Sequence, residues 1–365
     1  MEELIHTTSG VDYNVLDRFK RMAQHAAQNT NGALTRCDFR VAEWSRGESC
    51  FLIETPWGYL AHVEEGLGTK NIVADAQKAD EQSFYDAIAQ DTVATIVNDM
   101  ATVGARPISV AMLLAVGDES WFTKEERVNK LVDGWMRACI QARAVWGPGE
   151  TPALRGNATE TGVVLSGSAI GAIFEKEKVI RSENIMAGDT IVLLAGTGIH
   201  ANGLTRARKV AISLPDGYRT PIPGTPLDYG EALLQATPIY NPIIEDCQEA
   251  GIPIHYAVHI TGHGWRKLMR AKEPFVYVIE KLPDVQPIFR FIQQQTGMNV
   301  REMYATFNMG AGFALYVPPE YADAVIKIAA KHNVKAMAAG HIEKRGSEKQ
   351  ITGLLEFEGS DLNIR

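Results

Sequence analysis

Strand-like apolar runs and stretches of helical periodicity alternate twice along this chain, once on each side of the polar segment Lys176–Gly188. That double alternation constrains the fold most, because a strand–helix series has to lay its helices on a sheet. In the first series, Ser49–Glu54 and Tyr59–Glu64 read as strands around the hairpin turn Thr55-Pro56-Trp57-Gly58. Ile108–Val116 and the small-residue-rich run Gly162–Phe174 read as further strands. Helices are expected over Gly10–Gln28, with Val15, Phe19, Met22 and Ala26 at helical spacing and Asp12 as cap, and over Ser83–Gly104 and Lys124–Arg143. Trp146–Pro152 reads as a loop dense in glycine and proline. In the second series, strands at Asp189–Ala195, Ile254–Ile260, Phe275–Ile279, Phe313–Val317 and Lys335–Ile342 alternate with helices at Asn202–Ile212, Glu231–Ala250, Val285–Gln295 and Pro319–His332. At 365 residues the chain is long for one core, so the reading is two domains, 1–186 and 187–365, α/β followed by α+β.

Composition narrows the partners. A net charge of −8 argues against nucleic acid, whose binders present a basic face, while leaving room for a small anionic ligand. No apolar run approaches the roughly eighteen residues of a membrane-spanning helix. The start, Met1-Glu2-Glu3-Leu4-Ile5-His6, lacks the basic and apolar regions of a signal peptide. Cys37, Cys50, Cys139 and Cys247 are scattered, without metal-binding spacing. A cytoplasmic protein with free thiols is expected.

The densest chemistry lies where the second strand ends, in His62-Val63-Glu64-Glu65-Gly66-Leu67-Gly68-Thr69-Lys70. Carboxylates recruit a hard cation such as Mg²⁺, glycines let backbone N–H groups approach phosphate oxygens, and a lysine neutralises remaining charge. A polar turn with solvated charges is the alternative. On the following long helix Asp91, Thr95, Asn98 and Asp99 share roughly one face, and two acids and an amide there need water or a cation. Glu150 at the tip of the 146–152 loop is either a surface residue or a third carboxylate for that cation.

Familiar nucleotide motifs do not account for this pattern. A P-loop requires GxxxxGK[ST], and here Lys70 follows Thr69, with Glu64 where the first glycine belongs. Gly196-Thr197-Gly198-Ile199-His200-Ala201 satisfies GxGxxA, but the acid some twenty residues on is Asp216, in the turn Ser213-Leu214-Pro215-Asp216-Gly217 rather than at a strand end. What survives is a glycine-rich loop opening a helix, able to hold a phosphate. His259 and His263 lie i, i+4 in a strand-to-loop stretch without a further ligand, and Asn308 reads as a satisfied buried amide.

Taken in order, the segments resemble the aminoimidazole ribonucleotide (AIR) synthetase family, of the PurM-type ATP-binding superfamily, over nearly the full length. Gly10-Val11-Asp12 resembles that family's AGVD, and Glu65 to Lys70 its DGVGTK. Asp91 with Val97-Asn98-Asp99-Met100 and Gly104-Ala105-Arg106-Pro107 resembles D…VNDL…GAxP, and Pro148-Gly149-Glu150-Thr151 resembles GGET. In the second half, Gly198 to Leu204 resembles GxHSNGL, Thr237-Pro238-Ile239-Tyr240 PTRIY, His259 to Gly264 HxTGGG, and Glu302 to Gly312 EMYRxFNMGxG. Each motif is weak alone; eight in order are specific.

The resemblance implies a PurM-like two-domain fold whose N-terminal sheet pairs with a second subunit into a barrel, hence a homodimer. It implies ATP-dependent closure of formylglycinamidine ribonucleotide to AIR through a phosphorylated amide, with ATP and Mg²⁺ as cofactors. Carried onto this chain, Glu65, Gly66, Gly68, Thr69, Lys70, Asn98, Asp99, Gly149 and Glu150 bind the nucleotide. Glu65, Asp91, Asp99 and Glu150 hold the metal, and Lys70, His200, Asn202 and His259 are catalytic. The chain departs from the family at Glu64, Glu65, Pro148, Ala201, Pro238-Ile239, His263 and Ala305, which replace Thr, Asp, Gly, Ser, an arginine-bearing pair, Gly and Arg. Those departures favour, as alternatives, a diverged enzyme activating another amide or carboxylate, or a silent nucleotide-binding subunit.

Overall fold

A computed structural model describes residues 13–77 and 83–361. The expected Gly10 start and Asp12 cap of the first helix lie outside these residues, and α1 covers Tyr13–Gln28. The short β1 (Arg40–Val41) leads to the hairpin of β2 (Phe51–Thr55) and β3 (Gly58–Gly66), paired from Phe51↔His62 to Thr55↔Gly58. Two helices follow, α2 (Lys70–Ala76) and α3 (Tyr85–Ala101), then β4 (Arg106–Val116), α4 (Glu125–Gln141), β5 (Val145–Glu150) and β6 (Val163–Ile173). The first sheet has the order β1-β2-β3-β6-β4-β5, antiparallel except where β5 joins β4.

The strand β5 corrects the loop expected at 146–152. Its glycines permit close approach to β4: a Cβ at Gly147 would stand 2.1 Å from Ser109 Oγ, and one at Gly149 2.7 Å from the Met112 carbonyl oxygen. Pro148 is tolerated because the strand is an edge, where a missing N–H breaks no central ladder. Composition alone reads such a segment as a turn; the open edge of β4 makes it a strand.

Period-two alternation along β3 buries Ala61 and Val63 and exposes His62 and Glu64. The buried side lies under α3, which packs on β3, β4 and β6 and against α4. The other side of the sheet has no helix on it among the described residues, and Val164 and Ile170 are 54% and 55% exposed there.

The last strand of the first sheet ends at Ile173 and the first of the second begins at Thr190. The second half contains β7 (Thr190–Ala195), α5 (Leu204–Ser213), α6 (Tyr229–Leu233), α7 (Asn241–Glu249), β8 (Tyr256–His259) and β9 (Val276–Ile279). It continues with α8 (Pro287–Thr296), α9 (Val300–Thr306), β10 (Ala311–Val317), α10 (Ala322–Lys331), β11 (Ala336–Glu343), β12 (Gln350–Gly353) and β13 (Phe357–Glu358). Its sheet has the order β13-β12-β9-β11-β7-β10-β8, antiparallel except for β12 beside β9. Val192, Leu194, Leu315 and Val317 pack one face against Ile243 and Cys247 of α7 and Val325 of α10. Ile191, Leu193 and Tyr316 join the larger core with Trp265, Leu268 and Phe289. Burial on both faces is why β7 and β10 read as continuous apolar runs.

The single helix expected over Glu231–Ala250 is two, α6 and α7, joined by an irregular segment at 234–240. Pro238 cannot continue a helical hydrogen-bond ladder. That break frees Thr237-Pro238-Ile239-Tyr240 to run beside α3, which brings the two halves together.

Candidate active site

Helix α3 is buried on nearly every side, its polar stripe included: Asp91 and Asn98 are fully buried and Asp99 is 7% exposed. Its partners come from the second half of the chain and, for Asp91, from Lys70 as well. Asp91 Oδ1 accepts from the Thr237 backbone N–H at 2.8 Å and from its hydroxyl, while Asp91 Oδ2 pairs with Lys70 Nζ at 2.6 Å. Lys70 Nζ also donates to the Gln235 carbonyl at 2.9 Å. One turn pair further on, Asn98 donates to the Pro238 carbonyl at 2.9 Å and accepts from the Tyr240 N–H at 2.7 Å. Lys70, Asp91 and Asn98 therefore clamp the two halves, each with its polar atoms committed inside the protein. Lys70 and Asn98, expected to bind the nucleotide, and Asp91, expected to hold the metal, are placed by this structure in contacts between the two halves.

Asp99, in the last turn of α3, does reach a chemical centre. Its Oδ1 meets His259 Nδ1 at 2.6 Å, at the end of β8. Burial acts to raise the Asp99 carboxyl, but the His259 hydrogen bond and the charges of His259, Lys267 and Arg270 outweigh it and hold the group below its ordinary value. Glu65, at the end of β3, follows Val63 in the strand's period and lies on the helix side, opposite to Glu64. Burial first and then the Asp99 charge push its carboxyl up to about 7, against the weaker pull of Lys267 and of Lys20 on α1. Half-buried Glu65 and buried Asp99 thus repel one another, and the cost falls on ionising Glu65.

The cations facing this pair come from a segment in which no functional residue was expected. After Thr261-Gly262-His263-Gly264, with His263 in the left-handed region at φ 71°, a 3-10 helix covers Gly264–Met269. Residues three apart eclipse in a 3-10 helix, so Lys267 and Arg270 emerge on one side. Lys267 is 9% exposed and donates to Thr261 Oγ1, and burial pulls its ammonium down to about 8. Arg270 donates to Ser49 Oγ at 2.8 Å and pairs through Nε with Glu48 at 3.3 Å. The available sequence signal was Lys267 and Arg270 at i, i+3 in the segment Trp265–Ala271, which also holds Arg266.

Beside this centre lies a second niche, at the end of β7. His200 has φ 58° and is 2% exposed, and neither ring nitrogen has a hydrogen-bond partner. Its space is made by glycines: a Cβ at Gly312 would stand 2.6 Å from His200 Cε1, and one at Gly196 2.9 Å from His200 Nε2. Burial, then the charges of His259 and Lys70, hold the imidazole neutral well below its ordinary value. Asn202 is half-buried near Gly262, and Gly203, at φ 73° against the Phe307 ring, opens α5. Asn308 is a satisfied buried amide as expected, donating to the Gly198 carbonyl at 2.8 Å.

The expected four-carboxylate metal site does not assemble. Glu65 and Asp99 interact, Asp91 belongs to the clamp, and Glu150 is exposed on the edge strand β5 beside exposed Gly149. Among the described residues no three His, Cys, Asp or Glu side chains stand together as a metal cluster. Gly66 and Gly68 are exposed and Thr69 half-buried in the loop between Glu65 and α2, with Gly68 at φ 77°.

Three comparisons bear on this architecture. Residues 47–173 match the family described as AIR synthase related protein, N-terminal domain, and residues 186–352 match the corresponding C-terminal domain. A Methanothermobacter thermautotrophicus protein named phosphoribosylformylglycinamidine cyclo-ligase is 33% identical over 347 residues, 95% of this chain and 96% of its own length. A Methanocaldococcus jannaschii protein of the same name is 36% identical over 289 residues, 78% of each chain. Among solved structures, the hydrogenase maturation protein HypE in complex with ATP superposes with a TM-score of 0.58 at 15% identity, covering 85% of this chain and 86% of that one, a likeness of fold. No described helix is long and apolar enough to cross a membrane.

Proposed function

The chain belongs to the AIR synthase related family, and we propose on that premise that it is an ATP-dependent phosphoribosylformylglycinamidine cyclo-ligase of purine biosynthesis. The carrying observation is the 33% identity to a relative of that name over 95% of this chain. In this reading the substrate's amide oxygen attacks the γ-phosphorus of ATP and ADP departs. The amidine nitrogen then attacks the activated carbon, phosphate leaves, and a proton is given up as the ring closes to AIR. Residues 1–186 form the ATP-binding and dimerisation domain and 187–365 the PurM-like C-terminal domain of a cytoplasmic homodimer.

The fit of Mg²⁺ can be judged from the donor set. Glu65 and Asp99, two oxygen donors whose charges repel one another, suit a hard cation; Asp91 and Glu150 as oriented do not. Glu65 and Asp99 would hold Mg²⁺, and the chemistry it would supply there is charge neutralisation on the phosphoryl oxygens. His259 fixes the orientation of Asp99. The 66–69 loop, exposed at Gly66 and Gly68, offers backbone groups to the phosphates. His200, neutral and with both nitrogens uncommitted, offers one donor and one acceptor to the reacting amide or amidine, and Asn202 stands beside it. Holding both ends of one substrate supplies much of the rate of a cyclisation.

The test is an assay of purified protein with formylglycinamidine ribonucleotide, ATP and Mg²⁺. ADP and AIR should appear only with the ribonucleotide present, and Asp99→Asn should cut turnover by about a hundredfold or more. ADP formation that ignores the ribonucleotide removes this reading. A different amide substrate is the second reading. It is favoured by Arg266, whose guanidinium donates to the carbonyls of His263 and Ala305, two positions where the chain departs from the family pattern.

A further inference from the structure

His200 is held in a state that the reaction above leaves unexplained. Its ring is 2% exposed and neither nitrogen has a hydrogen-bond partner, a destabilising condition for a buried polar group. Its backbone sits at φ 58°, in the left-handed region that a residue with a side chain rarely adopts. Such features persist at one residue only where the surroundings over-determine them. Here the chain leading to it is tied down: Gln286 donates to the Gly196 carbonyl at 2.6 Å, Asn308 to the Gly198 carbonyl at 2.8 Å, and the Thr197 hydroxyl to the Ala236 carbonyl at 2.6 Å. The ring itself lies against bare backbone, since a Cβ at Gly196 would stand 2.9 Å from Nε2 and one at Gly312 2.6 Å from Cε1. Both nitrogens are closed off in this niche, so no substrate atom reaches them while the ring stays there. The turn that follows, 201–203, is half-buried.

We propose that the glycine niche stores the His200 imidazole when no substrate is bound, and that the ring turns out of it, toward the turn 201–203, to hydrogen-bond the amide or amidine of the substrate. The inference rests on the cyclo-ligase reading above and adds a conformational step to it. The substrate supplies the partners that the niche lacks, so it binds the turned-out state better and shifts the population toward it. Storage lowers the apparent affinity in proportion to the fraction of molecules with the ring turned out. Gly196 and Gly312 are then positioning residues that act through His200.

The test uses the full chain labelled with ¹⁵N-histidine and follows the ring nitrogens by NMR, with His200→Gln identifying the signals. In the free protein both nitrogens should show the values of an unbonded neutral imidazole. Adding formylglycinamidine ribonucleotide with Mg²⁺ and the non-hydrolysable AMP-PNP should move at least one of them to a hydrogen-bonded value. A second measurement needs no ligand. Diethylpyrocarbonate, mapped by mass spectrometry, should acylate His200 about tenfold or more slowly than exposed His25, as befits a group reached only through a local opening. Gly196→Ala, whose added methyl crowds Nε2, should remove much of that protection and tighten ribonucleotide binding. Melting curves check that this variant folds; if it does not, the wild-type measurements carry the test. Wild type that binds the ribonucleotide with the His200 signals unmoved overturns the movement, and wild-type His200 as reactive as His25 overturns the niche. Wild type that binds no ribonucleotide overturns the cyclo-ligase reading and the substrate step with it, while the reactivity of the ligand-free proteins still decides the niche.

Discussion

Glu64 and Glu65 are neighbours in sequence with opposite fates, because successive residues of a strand face opposite sides of the sheet. Glu64 is exposed on the helix-free side; Glu65 turns inward and titrates near neutrality. His200 shows the same dependence on placement. Burial, reinforced by His259 and Lys70, keeps it neutral far below the ordinary value of 6.5. In the unfolded chain it takes up a proton as the pH falls through that value, whereas the folded chain excludes it. Stability supplied by a neutral His200 is therefore full above pH 6.5 and is lost progressively below it, down to the folded value. Relative to His200→Gln, the wild type should lose about 1.4 kcal/mol of extra stability per pH unit below that point. Urea unfolding of both proteins at pH 7.5, 6.5 and 5.5 measures the difference, and parallel profiles would refute it.

At the scale of elements, α3 is the joint of the molecule. A helix whose polar stripe reads as solvated, or as a set of metal ligands, instead docks Asp91 on Thr237 and Lys70, Asn98 on Pro238 and Tyr240, and Asp99 on His259. The Lys70–Asp91 pair is wholly buried, so removing one partner leaves an uncompensated charge inside. Lys70→Met should destabilise the fold by about 3–5 kcal/mol, and the double change with Asp91→Leu should restore a large part of that. The measurement is the denaturation midpoint of the three proteins. A single variant as stable as wild type would remove the clamp. Periodicity located the helix and its polar face; the irregular segment between α6 and α7 is what turned that face into a contact between the two halves.

At the scale of the whole molecule, the first sheet has helices on one side and an open side carrying Val164 and Ile170. Exposed aliphatic residues in the middle of a sheet fit the dimer that belongs to the proposed function. Ile170→Glu places a charge on that side without touching α3 or the Glu65 centre. Sedimentation velocity should find the wild type dimeric and this variant shifted to monomer at micromolar concentration. A wild type that sediments as a monomer sinks the barrel arrangement.

Much of this was legible in residue order. Strand and helix periods located most elements, because burial of one face imposes a period that survives without coordinates. Ordered motifs identified the family, and Glu65, Asp99, His200 and His259 were singled out before their neighbours were known. Three things depended on contacts between residues far apart in the chain. Val145–Glu150 became a strand only because β4 had an open edge. Lys70 and Asp91 became a clamp because Thr237 and Gln235 arrive from 146 and 165 residues away. Lys267 bears on the charges of Glu65 and Asp99 only once the chain has folded, and its sequence neighbours, Arg266 and Leu268, carry no mark of that. Local sequence sets the period and the conformational limits of each segment; which charges meet is decided when the two halves close on α3, since electrostatic partners are chosen by distance in space.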